Sequence, residues 1–361
     1  MRRMFGFSLA LAFALSTAAF AAPAIQAIDP AVFATQGGNR YARVVLTGVD
    51  LGICGTNCPG VSVLVGGEAV PFFGNGSKLL ISVPDDMPPG VANLEVHTAQ
   101  GNAAVEDAML FVAPSDFETI LLPHAGGGED VFGANGSVWR AESFIRNDSA
   151  WSMRFDLPLF PYNVLISPSF VEFLTVAPHA TVNLELANAH APVRVMVPKA
   201  LASQLTFETR LYDASRDDQT FGTRVPAVRE ADFRHGATTI PGVPMGSRFR
   251  ANVRVFSVDG HAHPYRVRVL TQADVFVPAF EGYTTPLPVD TLLELPVTTE
   301  LDPLFEGSVW DVAFATLALP VVPASTPHVQ VQIEPLDGDA PFWAYVSVTN
   351  NDTQQVTLLT P

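Results

Sequence analysis

Positively charged residues are scarce in this chain of 361 residues. Lys78 and Lys199 are the only lysines, and lysine and arginine together number 20 against 36 aspartates and glutamates, for a formal net charge of −16. Nucleic acids and anionic membranes are bound by basic protein faces, because phosphate dominates their surface charge. The composition therefore argues against both classes of partner and fits a protein that is soluble outside the cell.

Long apolar runs are missing after the N-terminus. The first residues, MRRMFGFSLALAFALSTAAFAAPA, have two arginines, a short apolar stretch and an ending of small residues. This layout is typical of a secretory signal peptide, and it is short for a membrane span of about 20 residues. We therefore expect a signal peptide over residues 1–21, a mature chain from Ala22, and secretion without a membrane span. The sequence leaves open whether the mature protein stays at the cell surface.

Cysteine is also rare, with only Cys54 and Cys58 in the chain. In an exported protein, the pattern GICGTNCPG predicts a disulfide that pins a loop. Such a small loop would stabilise the fold by only about 2 kcal/mol. A redox site would need two residues between the cysteines and a helix start, and a metal site would need two further ligands nearby.

Signatures of catalysis and metal binding are lacking. The chain has no Gly-x-Ser-x-Gly, no His-Glu-x-x-His, and no Gly-Lys-Ser/Thr after its glycine-rich loop. His261 and His263 follow a turn and are interpreted as solvated residues of a hairpin tip. Acidic clusters occur at Asp213/Asp217/Asp218, Asp302/Glu306 and Asp337/Asp339, and LDGDA at Leu336–Ala340 has too few oxygens for a dedicated calcium loop and is interpreted as a turn. We therefore expect no enzyme and no cofactor, with weak calcium binding left open.

Glycine and proline are abundant, with 26 and 30 residues, and short apolar runs alternate between them. In VSVLVGGEAV, for example, Val61, Val63 and Val65 share one face before a Gly-Gly turn. This pattern indicates short antiparallel strands and argues against long helices. The sequence predicts an all-β fold of three tandem β-sandwich domains, the first over residues 22–113.

Residues 23–112 contain a series of short sequence motifs in a particular order. Val63-x-Val65-Gly66-Gly67 is followed by VPDDMPPG at Val83–Gly90, LEVHTAQG at Leu94–Gly101 and Phe111-Val112. Before them come Pro23-x-Ile25, Asp29-Pro30, Gly37-Gly38 and Leu46-Thr47-Gly48. In this order the stretch resembles the IPT/TIG family of immunoglobulin-like domains. The resemblance implies a binding or spacer module and no catalysis. It departs from the family after Gly48, where an Asn-aromatic pair is replaced by the start of the cysteine loop.

The remainder contains an internal repeat. GSVW at Gly136–Trp139 aligns with GSRF at Gly246–Phe249, a spacing of 110 residues, whereas VRVMV from Val193 aligns with VQVQI from Val329, a spacing of 136. The ungapped second block also places Phe207 on Trp343. We therefore predict two related sandwiches, repeat 1 over residues 114–226 and repeat 2 over residues 227–361. About 26 extra residues of repeat 2 fall between Leu270 and His328. The second GSVW, at Gly307–Trp310, lies among them, and its identity to the first GSVW is interpreted as a coincidence.

The C-terminal region resembles uncharacterised tandem β-sandwich regions of bacterial secreted proteins that carry IPT/TIG modules, through FETRLYDASRDDQTFGTRVPAV, RFRANVRVFSVDG and WAYVSVTNNDTQQVT. This resemblance implies no catalytic residues. The predicted function is a secreted, non-catalytic binding, adhesion or structural protein with an extracellular protein or polysaccharide as partner. The alternatives are a carbohydrate-binding accessory protein and an enzyme with an unrecognised site. Trp151, in the turn NDSAWS, is the candidate aromatic for stacking on a ligand.

Overall fold

A computed structural model gives the fold of residues 22–35, 42–54, 60–84, 86–124, 131–156, 173–184, 192–216, 222–259, 263–271, 290–298, 314–319 and 328–361. The predicted signal peptide lies outside the described residues, as do Cys58, His261 and Trp310. The disulfide between Cys54 and Cys58 therefore stays a prediction.

The strands of the N-terminal part are short and closely spaced. They are β1 (Ala24–Asp29), β2 (Val32–Ala34), β3 (Ala42–Val49), β4 (Ile53–Cys54), β5 (Ser62–Val65), β6 (Glu68–Ala69), β7 (Phe72–Asn75), β8 (Lys78–Val83), β9 (Gly90–Thr98) and β10 (Gly101–Val112).

The rest of the chain continues in the same way. Repeat 1 contains β11 (Phe117–Leu122), β12 (Val131–Phe132), β13 (Val138–Asn147), β14 (Met153–Asp156), β15 (Phe173–Val176), β16 (Thr181–Asn183), β17 (Val193–Pro198), β18 (Leu205–Asp213) and β19 (Thr223–Val225). Repeat 2 contains β20 (Val228–Arg229), β21 (Arg234–His235), β22 (Thr238–Pro244), β23 (Phe249–Ser257), β24 (Pro264–Thr271), β25 (Asp290–Thr298), β26 (Phe314–Ala318), β27 (His328–Pro335), β28 (Pro341–Asn350) and β29 (Val356–Leu359).

The all-β prediction is confirmed. The helical elements among the described residues are single 3₁₀ turns at Pro114–Asp116, Ala134–Gly136, Ala202–Gln204, Ala214–Arg216 and Glu230–Asp232. None of the helices in the described ranges is long and apolar enough to cross a membrane.

The described residues divide into two compact units. Unit 1 takes those within Met1–Ile28, Asn39–Asp85 and Val91–Met109, and unit 2 takes those within Asp29–Gly38, Asp86–Gly90 and Leu110–Pro361. One five-stranded sheet, in the order β1-β3-β8-β7-β4, lies in unit 1, and a second has the order β2-β10-β9-β5-β6. Valine, leucine and isoleucine alternate between buried and more exposed positions along β5, β8 and β9, as expected for strands with one face in a core.

Unit 2 contains both repeats, and their strands follow the same order. In repeat 1, β13 lies between β16 and β18, and β19 extends the sheet beyond β18; in repeat 2, β23 lies between β26 and β28, and β29 extends the sheet beyond β28. The second sheet pairs β11 with β17 in repeat 1 and β22 with β27 in repeat 2. The turn glycines Gly136 and Gly246 both have positive φ, 75° and 122°. The internal repeat is thus visible in the strand pairing as well as in the sequence.

The ungapped alignment of the second block is wrong by one residue. Trp139 pairs with Asp213 across β13 and β18, whereas Phe249 pairs with Asn350 across β23 and β28, so Asp213 corresponds to Asn350. Phe207 packs in the core of repeat 1, but Trp343 belongs to a different cluster from the core of repeat 2, which contains Ala344. The connection from β27 to β28 therefore has one residue more than its counterpart in repeat 1.

The two repeats pack on each other through a second apolar cluster. It comprises Leu121, Val228, Phe233, Phe256, Val258, Trp343 and Tyr345. Phe256 lies 5.8 Å from the ring centres of both Trp343 and Tyr345. The strand β20, at the start of repeat 2, pairs with β11 of repeat 1. Continuous pairing and a shared cluster hold the repeats as one body.

A buried polar group accompanies this cluster. The His124 side chain, only 1% exposed, lies 2.5 Å from the Tyr345 hydroxyl through Nε2. The Arg254 guanidinium approaches the same nitrogen at 2.9 Å. Because a buried polar atom without a partner is costly, these bonds allow the histidine to lie inside the interface.

Candidate functional site

A cleft of about 540 Å³ lies in unit 2, between the β18–β19 edge of repeat 1 and the β28–β29 turn of repeat 2. Repeat 1 contributes Trp139, Leu211, Tyr212, Asp213, Arg216, Gly222 and Thr223, and repeat 2 contributes Asp352, Thr353, Gln354, Gln355 and Val356. The Thr223 hydroxyl donates to the Val356 carbonyl at 2.5 Å and joins the two sides.

Trp139 provides one aromatic side chain of the cleft. It is the second residue of β13, is half-buried, and follows the turn that begins at Ala134. A Cβ at Gly133 would lie 2.6 Å from the indole Nε1, so glycine is needed there for the ring to lie against the turn. The turn and the strand together fix the indole at the edge of the sheet.

Tyr212 also borders the cleft, but its side chain projects from the other face of the sheet, because it pairs with Arg140 whereas Asp213 pairs with Trp139. Its hydroxyl donates to Glu142 Oε1 at 3.1 Å, and the guanidinium of Arg210 lies 5.0 Å from the ring centre. Burial and the neighbouring Glu142 carboxylate raise the pKa of the Tyr212 hydroxyl, since both disfavour a phenolate. Tyr212 is therefore a neutral, oriented ring at ordinary pH.

Asp213 is the most buried charged residue of the cleft, with 2% exposure. Its Oδ1 accepts hydrogen bonds from the Val138 amide at 2.8 Å, the Ser215 amide at 3.1 Å and the Ser215 hydroxyl at 2.7 Å. Its Oδ2 accepts no hydrogen bond from any described residue and lies 3.6 Å from Arg216 Nε. One oxygen therefore holds the turn, and the other is buried beside the Arg216 guanidinium.

The turn of repeat 2 is held by its own side-chain network. Arg250 donates to the side-chain oxygens of Asn351 at 2.8 Å and Gln354 at 2.6 Å. Burial lowers the pKa of Arg250, and the charge of Asp213 opposes that shift. Arg216 of repeat 1 donates to the Thr353 carbonyl at 3.2 Å. These contacts fix the second wall of the cleft relative to the first.

Repeat 2 has a smaller hollow at the corresponding position, with a volume of about 190 Å³. Phe249 and Asn350 line it where Trp139 and Asp213 line the cleft, in agreement with the strand pairing. The GSVW and GSRF stretches thus lead into equivalent hollows, of which only the one in repeat 1 carries a carboxylate at this position.

The structure gives the candidate stacking residue, Trp151, a different place. It is half-buried and packs against the core of repeat 1, and it lines neither hollow. Its turn is built by Asn147, whose amide donates to the Trp151 carbonyl at 2.8 Å and the Val176 carbonyl at 3.0 Å.

His263 differs from the predicted solvated turn residue. Its Nε2 lies 2.7 Å from Asp259, its Nδ1 lies 2.5 Å from Asp337, and its side chain is only 16% exposed. Burial alone would lower the pKa of His263, but the two carboxylates raise it above its ordinary value. Among the described residues no group of three metal-ligating side chains has the geometry to hold an ion. The Asp-His-Asp bridge therefore joins two loops at one end of repeat 2.

Sequence reasoning missed the cleft as a site. It singled out Asp213 only as one member of an acidic cluster, whose other members, Asp217 and Asp218, lie outside the described residues. It treated Trp139 only as the end of the repeated stretch GSVW. The sequence signal that could have indicated this site is the alignment of GSVW with GSRF, because Trp139 and Phe249 mark the same strand start.

The fold defines an all-β protein with repeated sandwiches. No protein-family model and no curated protein matches the chain. A structural search finds a gamma-CGTase from alkalophilic Bacillus clarkii with 13% identity and a TM-score of 0.22, over 59% of this chain and 26% of that one. It also finds carbohydrate-binding modules of the β-sandwich superfamily (9% identity, TM-score 0.20, over 93% of this chain and 98% of that one). A third is SGBP-B from a xyloglucan utilization locus of Bacteroides uniformis (8%, 0.19, over 94% and 73%).

These likenesses are too distant to assign a ligand. The chain spans about a quarter of the gamma-CGTase chain that it matches, since the shared part is 26% of that chain. The functional argument therefore rests on the cleft itself.

Proposed function

We propose that this chain is a secreted, non-catalytic binding protein that holds a polysaccharide in the cleft between its two repeats. The observation that carries the proposal is the indole of Trp139, held at the sheet edge beside the buried Asp213–Arg216 ion pair in one hollow. Ligand sites typically have about 300–1,000 Å³, apolar or aromatic walls and a few placed polar groups. A sugar ring presents both an apolar face and hydroxyl donors, which suits such a wall.

The N-terminal sequence supports export, and the acidic composition supports a partner without anionic groups. We propose a non-catalytic role because Trp139 and the polar groups around it form a surface suited to recognition. Incubation of the full chain with each polysaccharide should leave the polymer length and the reducing-end concentration unchanged. A rise in reducing ends that Asp213→Asn abolishes would make the protein an enzyme instead.

The test is retardation of the full chain in native gels containing dextran, starch, hydroxyethyl cellulose or galactomannan. We expect retention by at least one of them, and a loss of about 30-fold or more in affinity for Trp139→Ala, the scale of a central aromatic contact. Phe249→Ala is the matched control, because it removes the equivalent ring from the smaller hollow. Equal losses in both variants, or no retention of the wild-type chain, would refute the proposal.

Adhesion to an extracellular protein is the second candidate. On the outer face of the first sheet of unit 1, Leu80 lies directly between Val45 and Phe73, which are 36% and 56% exposed. Exposed apolar rows of this kind can contact a partner. Phe73→Asp should then abolish attachment to cells or matrix proteins without changing retention in polysaccharide gels.

A further inference from the structure

The bridge of His263 to two aspartates lies at the end of the strands that carry the contact between the repeats. Asp259 belongs to the turn after β23, and Asp337 belongs to the turn between β27 and β28. Near that end of β23 and β28, Phe256 lies opposite Trp343, and both rings belong to the apolar cluster between the repeats. The bridge therefore joins the two chain segments that lead into this cluster.

The turn that holds Asp259 also contacts repeat 1 directly. Val258 precedes Asp259 and is itself a member of the cluster between the repeats. Its carbonyl accepts a hydrogen bond from the Arg194 guanidinium of repeat 1 at 2.7 Å, and its amide donates to the Pro341 carbonyl at 3.3 Å. Because local opening begins at the ends of elements, opening of this turn would release Val258 and its contact with Arg194 before the rest of the strand.

The bridge is complete only when His263 carries a proton on both ring nitrogens. Nε2 lies 2.7 Å from Asp259 and Nδ1 lies 2.5 Å from Asp337. An ionised carboxylate only accepts hydrogen bonds, so each contact needs an N–H, whereas a neutral imidazole has one N–H and one lone pair. The Ser257 hydroxyl donates to the other oxygen of Asp259 at 3.0 Å and links that carboxylate to the end of β23. Loss of one proton therefore breaks the bridge on one side.

The other titratable groups near the bridge do not replace the charge of the imidazolium. Tyr265 on β24 is buried, and burial raises the pKa of its hydroxyl, so it stays neutral near the two carboxylates. Asp339 lies exposed in the same turn as Asp337, and its carbonyl lies 3.3 Å from His235 Nδ1. Burial lowers the pKa of His263, but the hydrogen bonds and charges of its two carboxylates offset this effect and raise the pKa above its ordinary value. When the proton is lost, two negative charges meet at one neutral ring and repel each other.

We propose that His263 is a pH-sensitive clasp, which as an imidazolium ties the turn after β23 to the turn before β28 and so holds the contact between the repeats. The clasp is fully closed below the unfolded pKa of about 6.5, and it opens as the pH rises through the raised folded pKa. The repeats are thus coupled tightly in acidic surroundings and more loosely in alkaline ones. This inference concerns the packing of the repeats and is independent of the ligand of the cleft.

Two measurements on the full chain test the clasp. NMR titration of the His263 Cε1–H signal, assigned with His263→Gln, gives the folded pKa. Hydrogen exchange of the Val258 amide, expressed as a protection factor that corrects for the intrinsic effect of pH, reports opening of the turn. From about pH 5.5 to a pH above the folded pKa, the protection factor should fall about tenfold for each pH unit by which the folded pKa exceeds 6.5.

His263→Gln should abolish this pH dependence and keep the low protection of the alkaline wild-type protein at every pH. His235→Gln is the matched control, because His235 is an exposed histidine that pairs with Pro341 at the same end of β28. It should leave the Val258 profile unchanged. The wild-type measurements decide the question even if His263→Gln misfolds. A folded pKa at or below 6.5, a Val258 protection factor that does not change while His263 titrates, or a wild-type profile in His263→Gln would each overturn the clasp.

Discussion

Replacing Phe256 with alanine should weaken the packing between the two repeats and lower the free energy of unfolding. Phe256 is fully buried, and its ring lies beside Trp343 and Tyr345 in the cluster between the repeats. Truncating a buried phenylalanine to alanine typically costs about 3–5 kcal/mol in the free energy of unfolding. Each aromatic pair contributes about 0.5–1.5 kcal/mol beyond its buried area, so a value in the upper half of that range is expected.

Equilibrium urea unfolding of the full chain, followed by tryptophan fluorescence, measures this loss because Trp343 lies in the same cluster. The variant should also broaden or split the transition of unit 2, since the contact that couples the repeats is weakened. Phe73→Ala, which truncates a ring that is 56% exposed, should change the free energy of unfolding by no more than about 0.5 kcal/mol. A loss below about 1 kcal/mol for Phe256→Ala would refute the packed interface.

Three further outcomes follow from particular contacts. The pKa of His263 is raised in the folded state, so its bridge to two aspartates stabilises the protein below the unfolded pKa of about 6.5 and loses that contribution as the pH rises through the folded value. Melting temperatures measured across this pH range should therefore depend less on pH in His263→Gln than in the wild-type protein. An unchanged pH profile would contradict the bridge. Gly222→Ala should lower the free energy of unfolding in urea more than Gly236→Ala does. Both glycines have positive φ, but only at Gly222 would a Cβ meet the backbone, 2.5 Å from the Leu211 oxygen. Equal losses would contradict that contact. Tyr345→Phe should cost about 1–3 kcal/mol in the same assay by removing the hydroxyl partner of His124, and a neutral effect would mean that the buried bond contributes nothing.

The sequence predicts strands well where one face is buried and the other is not. β27 alternates between buried and more exposed residues, and its alignment with β17 agrees with the observed core of each repeat. β28 is buried on both faces, with Phe342 and Ala344 in one cluster and Trp343 in another. A strand without alternation has no period that fixes its register, and pairing Phe207 with another aromatic residue produced the slip of one residue.

The cleft could not be predicted from local patterns, because it forms only when the turn after β28 packs beside β18 and β19. The sequence near Asp213 shows a turn residue, and the burial of its Oδ2 beside Arg216 is visible only in three dimensions. His263 is a similar case: its partner Asp337 is 74 residues away in the chain. Both sites depend on contacts between distant segments, which composition and spacing do not encode.

The indole N–H signals of the tryptophans, followed by NMR during titration with an oligosaccharide of the retained polymer, test the central claim most directly. Trp139→Phe assigns the signal of Trp139, and Trp151→Phe and Trp343→Phe assign two others. If the cleft between the repeats is the ligand site, the Trp139 signal shifts with saturation while those of Trp151 and Trp343 stay in place. A saturating shift of Trp151 with a stationary Trp139 would contradict the account and return the site to the turn of repeat 1.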